Sequence, residues 1–218
     1  MQDNYTESRR DMVKKQIQSR GINNPLVVKA MENVPRHEFV PENFRPYAYE
    51  DRPLSIGHGQ TISQPYIVAF MTQALRLGGG ERVLEIGTGL GYQAAVLGEI
   101  ASEVYTVEYL TELADQARNC LSRLNYSNVT STVGDGSEGW PEHSPYMGII
   151  ATASGPSVPQ TLKDQLAVGG KLVMPVGNYR FGQYILRLTK GYYGDFQEER
   201  LLDVAFVPLR GKYGWNED

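Results

Sequence analysis

Val83-Leu84-Glu85-Ile86-Gly87-Thr88-Gly89-Leu90-Gly91-Tyr92 divides into three parts. Val83 to Ile86 is a short apolar run of strand character, Gly87 to Gly91 is a glycine-rich turn, and a helix is expected from about Gly91 to Ile100. Glycines at such a turn let the backbone bend sharply and approach a ligand without a Cβ in the way. Strand, glycine turn and helix in that order form the opening unit of a parallel α/β sheet, whose ligands lie at the carboxyl ends of the strands.

The alternation continues downstream. Val104 to Val107 predicts a strand, about Thr111 to Leu124 a helix, and Val129 to Val133 and Met147 to Ala151 two more strands. A helix is expected from about Pro159 to Leu166 and a strand from Lys171 to Pro175. Tyr184 to Thr189 and Leu201 to Pro208 are strand candidates with no helix between them, so antiparallel pairing at one edge is expected. Upstream, residues 6–19 predict a helix with Met12, Val13 and Ile17 on a narrow apolar stripe. Asn24-Pro25 predicts a capped helix start, and a helix is expected from about Pro65 to Leu77. Between them, Arg36 to Gln64 reads as irregular chain rich in Pro, Gly and aromatics, a length that usually marks a binding segment. The expected fold is α/β: a doubly wound, mostly parallel sheet with an antiparallel C-terminal edge and an N-terminal helical and loop cap. One domain over 1–218 is expected, with residues 1–64 as cap and substrate loop and 65–218 as the α/β core.

Composition narrows the function classes. The 218 residues carry 21 Lys plus Arg against 25 Asp plus Glu, a net charge of -4, which argues against nucleic acid as main partner. The first twenty residues are polar, and no apolar run approaches the ~20 residues that span a bilayer. A soluble cytoplasmic protein without a membrane partner is expected, acting as a monomer. Cys120 is the one cysteine, which excludes an internal disulfide; with no basic neighbour beside it in sequence, an inert thiol is expected. His37, His58 and His143 are too scattered for a metal site, so none is expected.

Glu108 follows Gly87 by 21 residues, at the end of the second core strand, where a carboxylate can accept from two ribose hydroxyls. The turn then serves a nucleoside cofactor; the alternative is a tight strand-to-helix turn with no ligand. The spacing G-x-G-x-G differs from the dinucleotide fingerprint, and Glu85 would repel a pyrophosphate and attract a cation. S-adenosylmethionine, cationic and free of phosphate, suits such a lip, although Glu85 read alone could be a solvated strand-end charge. Gly134-Asp135-Gly136 ends the third strand, where Asp135 could meet an adenine amino group or simply make a turn. No phosphate-binding G-x-x-x-x-G-K-[ST] is present.

Three stretches carry a family resemblance: Ser55-Ile56-Gly57-His58-Gly59-Gln60-Thr61-Ile62-Ser63-Gln64-Pro65-Tyr66, the glycine turn, and Gly134-Asp135-Gly136 with Gly139-Trp140-Pro141 and Pro145-Tyr146. Phe206-Val207-Pro208-Leu209 and Gly214-Trp215 add to it. Over nearly its whole length the chain resembles the protein-L-isoaspartate O-methyltransferases, class I enzymes that use S-adenosylmethionine. The glycine turn is generic to that class; Thr61 to Pro65 is far more specific. The family usually has an acid after Pro-Tyr where this chain has Met147-Gly148, and small apolar residues where it has Ser154 and Gly155 near the crevice.

The resemblance implies methylation of the free α-carboxylate of L-isoaspartyl residues in damaged proteins and peptides, followed by collapse of the ester to a succinimide. It implies Ser63 as the catalytic residue, orienting the substrate, and Gln64, Glu85, Gly87, Thr88, Gly89, Gly91, Glu108, Asp135 and Gly136 as cofactor-binding residues. From the residues alone, Ser63 reads as a helix cap before Pro65. A methyltransferase with another acceptor and a non-catalytic nucleoside-binding module are the alternatives; an NAD-dependent oxidoreductase is disfavoured by Glu85 and the glycine spacing.

Overall fold

The computed structural model describes residues 4–178 and 180–215, with a helical cap built on a seven-stranded sheet. The helices are α1 (Asn4–Met12), α2 (Pro25–Asn33), α3 (Pro65–Ala74), α4 (Tyr92–Gly98), α5 (Thr111–Arg123) and α6 (Gln160–Asp164). A two-stranded hairpin, β1 (Leu54–Gly57) and β2 (Gln60–Ile62), precedes the sheet strands β3 (Arg82–Ile86), β4 (Glu103–Glu108), β5 (Val129–Val133), β6 (Tyr146–Ala151), β7 (Leu166–Asn178), β8 (Gly182–Lys190) and β9 (Phe196–Val204). Among the described residues no helix is long and apolar enough to cross a membrane.

The sheet order is β5-β4-β3-β6-β7-β8-β9. The first five strands in that row run parallel, and β8 and β9 join antiparallel, as the missing helices foretold. Chain order reverses on either side of β3, so the carboxyl ends of β3, β4 and β6 open a crevice at the switch point. Apolar residues of α1, α2 and the loop after it, among them Met12, Met31 and Phe39, join the same buried cluster as Val83 and Tyr92. The cap is therefore packed into the core that carries the glycine turn.

Local chemistry sets several boundaries. Asn24 accepts hydrogen bonds from Leu26 N and Val27 N, and Pro25 takes the first helical position of α2. The helix expected over 6–19 changes winding: α1 ends at Met12, Val13–Ile17 form a wider π turn, and Gln18–Arg20 tighten before Gly21 at φ 88°. The expected irregular loop holds the β1–β2 hairpin, turned through Gly57, His58 and Gly59, all at positive φ. The last strand ends earlier than expected. The Gln183 side chain captures Phe206 N at 2.6 Å and Phe206 O at 3.2 Å, which draws the chain off the sheet. The tail then bridges Pro208 to Ser154 and runs toward the crevice.

Candidate active site

The crevice encloses about 950 Å³ including its open side. Its wall gathers Ser63, Gly87, Thr88, Gly89, Glu108 and Gly136 from segments far apart in sequence. Gly87 adopts φ 93°, and a Cβ there would lie 2.4 Å from Thr152 Oγ1. That hydroxyl donates to Gly87 O at 2.6 Å and pins the turn to the end of β6. Only glycine fits such a position without displacing the turn.

Glu108 caps the turn from the next strand. Oε2 accepts from Gly89 N at 2.8 Å and Oε1 from Leu110 N at 3.0 Å. Each oxygen keeps a further lone pair for a ligand hydroxyl.

Glu85 corrects the sequence expectation. It does not line the crevice; it is fully buried behind it, with Oε2 accepting from Thr106 Oγ1 at 2.6 Å. Thr88, on the crevice wall, joins the same chain through Thr106 at 2.6 Å. Burial, reinforced by the nearby Glu108 charge, pushes the Glu85 carboxyl up to about 8, so it is neutral near pH 7 rather than a charged lip. Oε1 has no hydrogen-bond partner among the described residues.

Three other expected residues stand outside the wall. Gln64 Nε2 donates to Asp51 Oδ1 at 3.2 Å. Gly91 begins α4 and packs against α5, where a Cβ would meet Leu121 at 3.2 Å; its role is helix packing. The Asp135 carboxylate is engaged by the protein: Oδ1 accepts from Ser137 N and Oγ, and Oδ2 from Lys212 N at 2.7 Å. It ties the C-terminal segment down beside the crevice, so that Val207 to Arg210 form part of the wall.

Ser63 lies between β2 and α3. Gln64, not Ser63, occupies the cap position of α3, and the Ser63 hydroxyl has no hydrogen-bond partner among the described residues. The helix end is poorer in donors than its position suggests. Pro65 has no N–H and Ile67 donates back to Gln64 O, so of the four amides a helix start leaves open only those of Gln64 and Tyr66 remain. Beneath Ser63 sits fully buried Arg36, whose Nη2 donates to Ser63 O at 2.8 Å. A lone arginine in a proline-rich loop carries no sequence pattern that would have singled it out.

Further expectations resolve in the structure. Cys120 does have a cation beside it, since Arg123 Nη2 lies 3.5 Å from Sγ one helical turn on. Burial nevertheless raises the thiol's pKa. Ser154 and Gly155 serve the tail rather than the ligand space: Ser154 Oγ donates to Gly177 O, and Ser154 pairs with Val207 and Leu209 through its backbone. His37 shares a hydrogen bond with the Tyr49 hydroxyl, His143 stacks on Tyr105, and His58 is exposed at the hairpin tip.

A doubly wound sheet whose first glycine turn and second-strand acid share one crevice defines an α/β enzyme of the nucleoside-cofactor methyltransferase class. The family model for protein-L-isoaspartate(D-aspartate) O-methyltransferase matches residues 7–214, and the chain belongs to that family. It is 55% identical over 211 residues to protein-L-isoaspartate O-methyltransferase 1 of Rhodopseudomonas palustris, covering 97% of this chain and 86% of the relative. Identity to the protein-L-isoaspartate O-methyltransferase of Syntrophotalea carbinolica is also 55%, covering 98% of each chain. Among solved structures, a protein-L-isoaspartate O-methyltransferase superposes with TM-score 0.85 at 31% identity, over 94% of this chain and 67% of that one. A Plasmodium falciparum structure described as the same enzyme, in complex with S-adenosyl-L-homocysteine, superposes with TM-score 0.81 at 25% identity, over 96% and 99%.

Proposed function

We propose that this chain uses S-adenosylmethionine to methylate the free α-carboxylate of L-isoaspartyl residues in damaged proteins and peptides, with Ser63 orienting that carboxylate. The observation that carries the reading is the joining of Ser63, the Gly87–Gly89 turn and Glu108 on one wall. The glycine cradle at Gly87, followed by Thr88 on the wall, fits the cofactor. Glu108 would accept from the ribose hydroxyls, and the Glu85–Thr106–Thr88 chain would face the cationic end. When bound, the cofactor supplies an electrophilic methyl group on a positively charged sulfur.

The protein's own part is binding and orientation. An α-carboxylate has an ordinary pKa of ~3.5 and is ionised at neutral pH, so no residue needs to act as general base. Ser63, whose hydroxyl has no partner among the described residues, donates to one carboxylate oxygen and holds the other toward the methyl donor. Apolar groups from Ile56 and Ile62 on the hairpin, Val68 and Met71 on α3 and Leu209 on the tail keep water from the reacting atoms. The resulting methyl ester is a better electrophile than the carboxylate: the neighbouring backbone nitrogen attacks its carbonyl carbon, loses its proton and expels methanol, which closes the succinimide.

The test pairs peptides that differ only in aspartyl versus isoaspartyl linkage; methyl transfer is expected for the isoaspartyl member alone. Ser63→Ala should retain cofactor affinity and lose turnover by about 10- to 100-fold, the worth of a hydrogen bond to a charged group. Turnover within about threefold of the parent, under ~0.7 kcal/mol of barrier, would show that Ser63 does not orient the substrate.

A further inference from the structure

Arg36 lies in the loop after α2 with its side chain wholly withdrawn from solvent. Nε donates to Ala48 O at 2.7 Å, Nη2 donates to Ser63 O at 2.8 Å, and the guanidinium carbon stands 4.8 Å from the centre of the Tyr92 ring. Nη1 has no partner, and no carboxylate forms an ion pair with Arg36 among the described residues. Removing a guanidinium from water costs several kcal/mol, and two carbonyls, the Tyr92 side chain and the more distant Asp51 carboxylate do not replace a paired counter-charge in contact. By contrast, buried Arg187 is matched by Glu199 at 2.8 Å. A neutral side chain could cross-link two loops at lower cost, so the charge itself calls for a reason.

The neighbours supply one. Ser63 and Tyr92, both in contact with Arg36, line the crevice. The amino end of α3 offers an anion two amides, those of Gln64 and Tyr66, because Pro65 has none and Ile67 is bonded to Gln64 O. An anionic substrate seated at Ser63 also meets a buried positive charge directly behind that residue. A low-dielectric setting makes such a charge count for more than it would at the surface.

We propose that Arg36 is a positioning residue for carboxylate methylation: its planar fork holds Ser63 in register with the Ala48 loop, and its charge, in contact with no carboxylate, favours the substrate carboxylate at Ser63. The proposal rests on the reading of Ser63 given above. It makes Arg36 act through Ser63 rather than touch the reacting atoms. Lysine can keep the charge but cannot bond both carbonyls in one plane.

The experiment uses the full chain with Arg36→Lys and Arg36→Met, each alone and combined with Ser63→Ala. Site concentration is set by titration with S-adenosylhomocysteine, and kcat and KM are measured with an isoaspartyl peptide. Arg36→Met is expected to lower kcat/KM about 100-fold, the scale of a 1 Å misplacement, while S-adenosylhomocysteine affinity stays within about twofold. Arg36→Lys should recover part of the loss, to about tenfold below the parent. In the Ser63→Ala background the Arg36→Met loss should shrink from about 100-fold to about tenfold, because positioning the hydroxyl no longer matters while the charge still acts on the carboxylate. Normal turnover per cofactor-binding site in Arg36→Met, beside a crippled Ser63→Ala, would overturn this inference alone. An equally large loss in the Ser63→Ala background would overturn it too, because Arg36 would then act elsewhere. A fully active Ser63→Ala would instead remove the assignment of Ser63 on which it stands. If Arg36→Met does not fold, Arg36→Lys carries the same comparison; failure of both to give cofactor-binding protein would assign Arg36 a structural role only.

Discussion

Glu85→Gln removes an ionisable group from the middle of the sheet while keeping its shape. The parent carboxyl is fully buried, bonded to Thr106 on one oxygen and unpartnered on the other, and burial moves it from its ordinary 4.5 to about 8. Unfolded chains release this proton near the ordinary value; the folded protein keeps it to the raised one. The stability contributed by the neutral form is thus fully present below the unfolded pKa and is lost as pH rises through the folded pKa. At about 1.36 kcal/mol per unit, the window from about pH 5 to about pH 8 contains roughly 4 kcal/mol. Glutamine does not ionise, so the variant lacks this slope. It retains a constant cost of about 1–3 kcal/mol if its amide is left without an acceptor. For a chain of this size 1 kcal/mol moves the melting temperature by about 2–4 °C, so the difference between variant and parent should move in the variant's favour by about 8–16 °C across the window. Thermal unfolding followed by circular dichroism, without ligand and at fixed ionic strength, measures it. Parallel curves for the two proteins would mean that Glu85 is already ionised in the folded state at the acid end, and the burial argument would fail.

Two further substitutions separate ligand contacts from scaffold. Gly87→Ala forces a Cβ to within 2.4 Å of Thr152 Oγ1 at a residue with φ 93°; displacement of the turn should weaken S-adenosylhomocysteine binding by about tenfold, roughly 1.4 kcal/mol. Calorimetric titration would show unchanged affinity if the turn does not cradle the cofactor. Asp135→Asn should loosen the tail, because its amide cannot accept from both Ser137 N and Lys212 N as the carboxylate does. A loss of about 1–3 kcal/mol in hydrogen-exchange protection around Lys212 and Trp215 is expected. Intact protection with weakened cofactor binding would instead restore the adenine contact expected from sequence.

Residues 83–92 alone determined the opening strand, the turn and the helix, because alternation of apolar runs with glycine is a local property of the chain. The same holds for the Asn24-Pro25 cap and for the parallel core that follows from strands separated by helices. Sequence also placed Glu108 correctly, since the distance from a glycine turn to the next strand's end is set by one helix. What it could not reach depends on groups brought together from afar. Asp135 meets Lys212 across 77 residues and Arg36 meets Ser63 across 27, so the tail's anchor and the buried cation have no local signature. Glu85 looked like a charged lip because sequence shows composition and not solvent. Only the packed sheet, which removes water from its carboxyl, decides that it holds its proton.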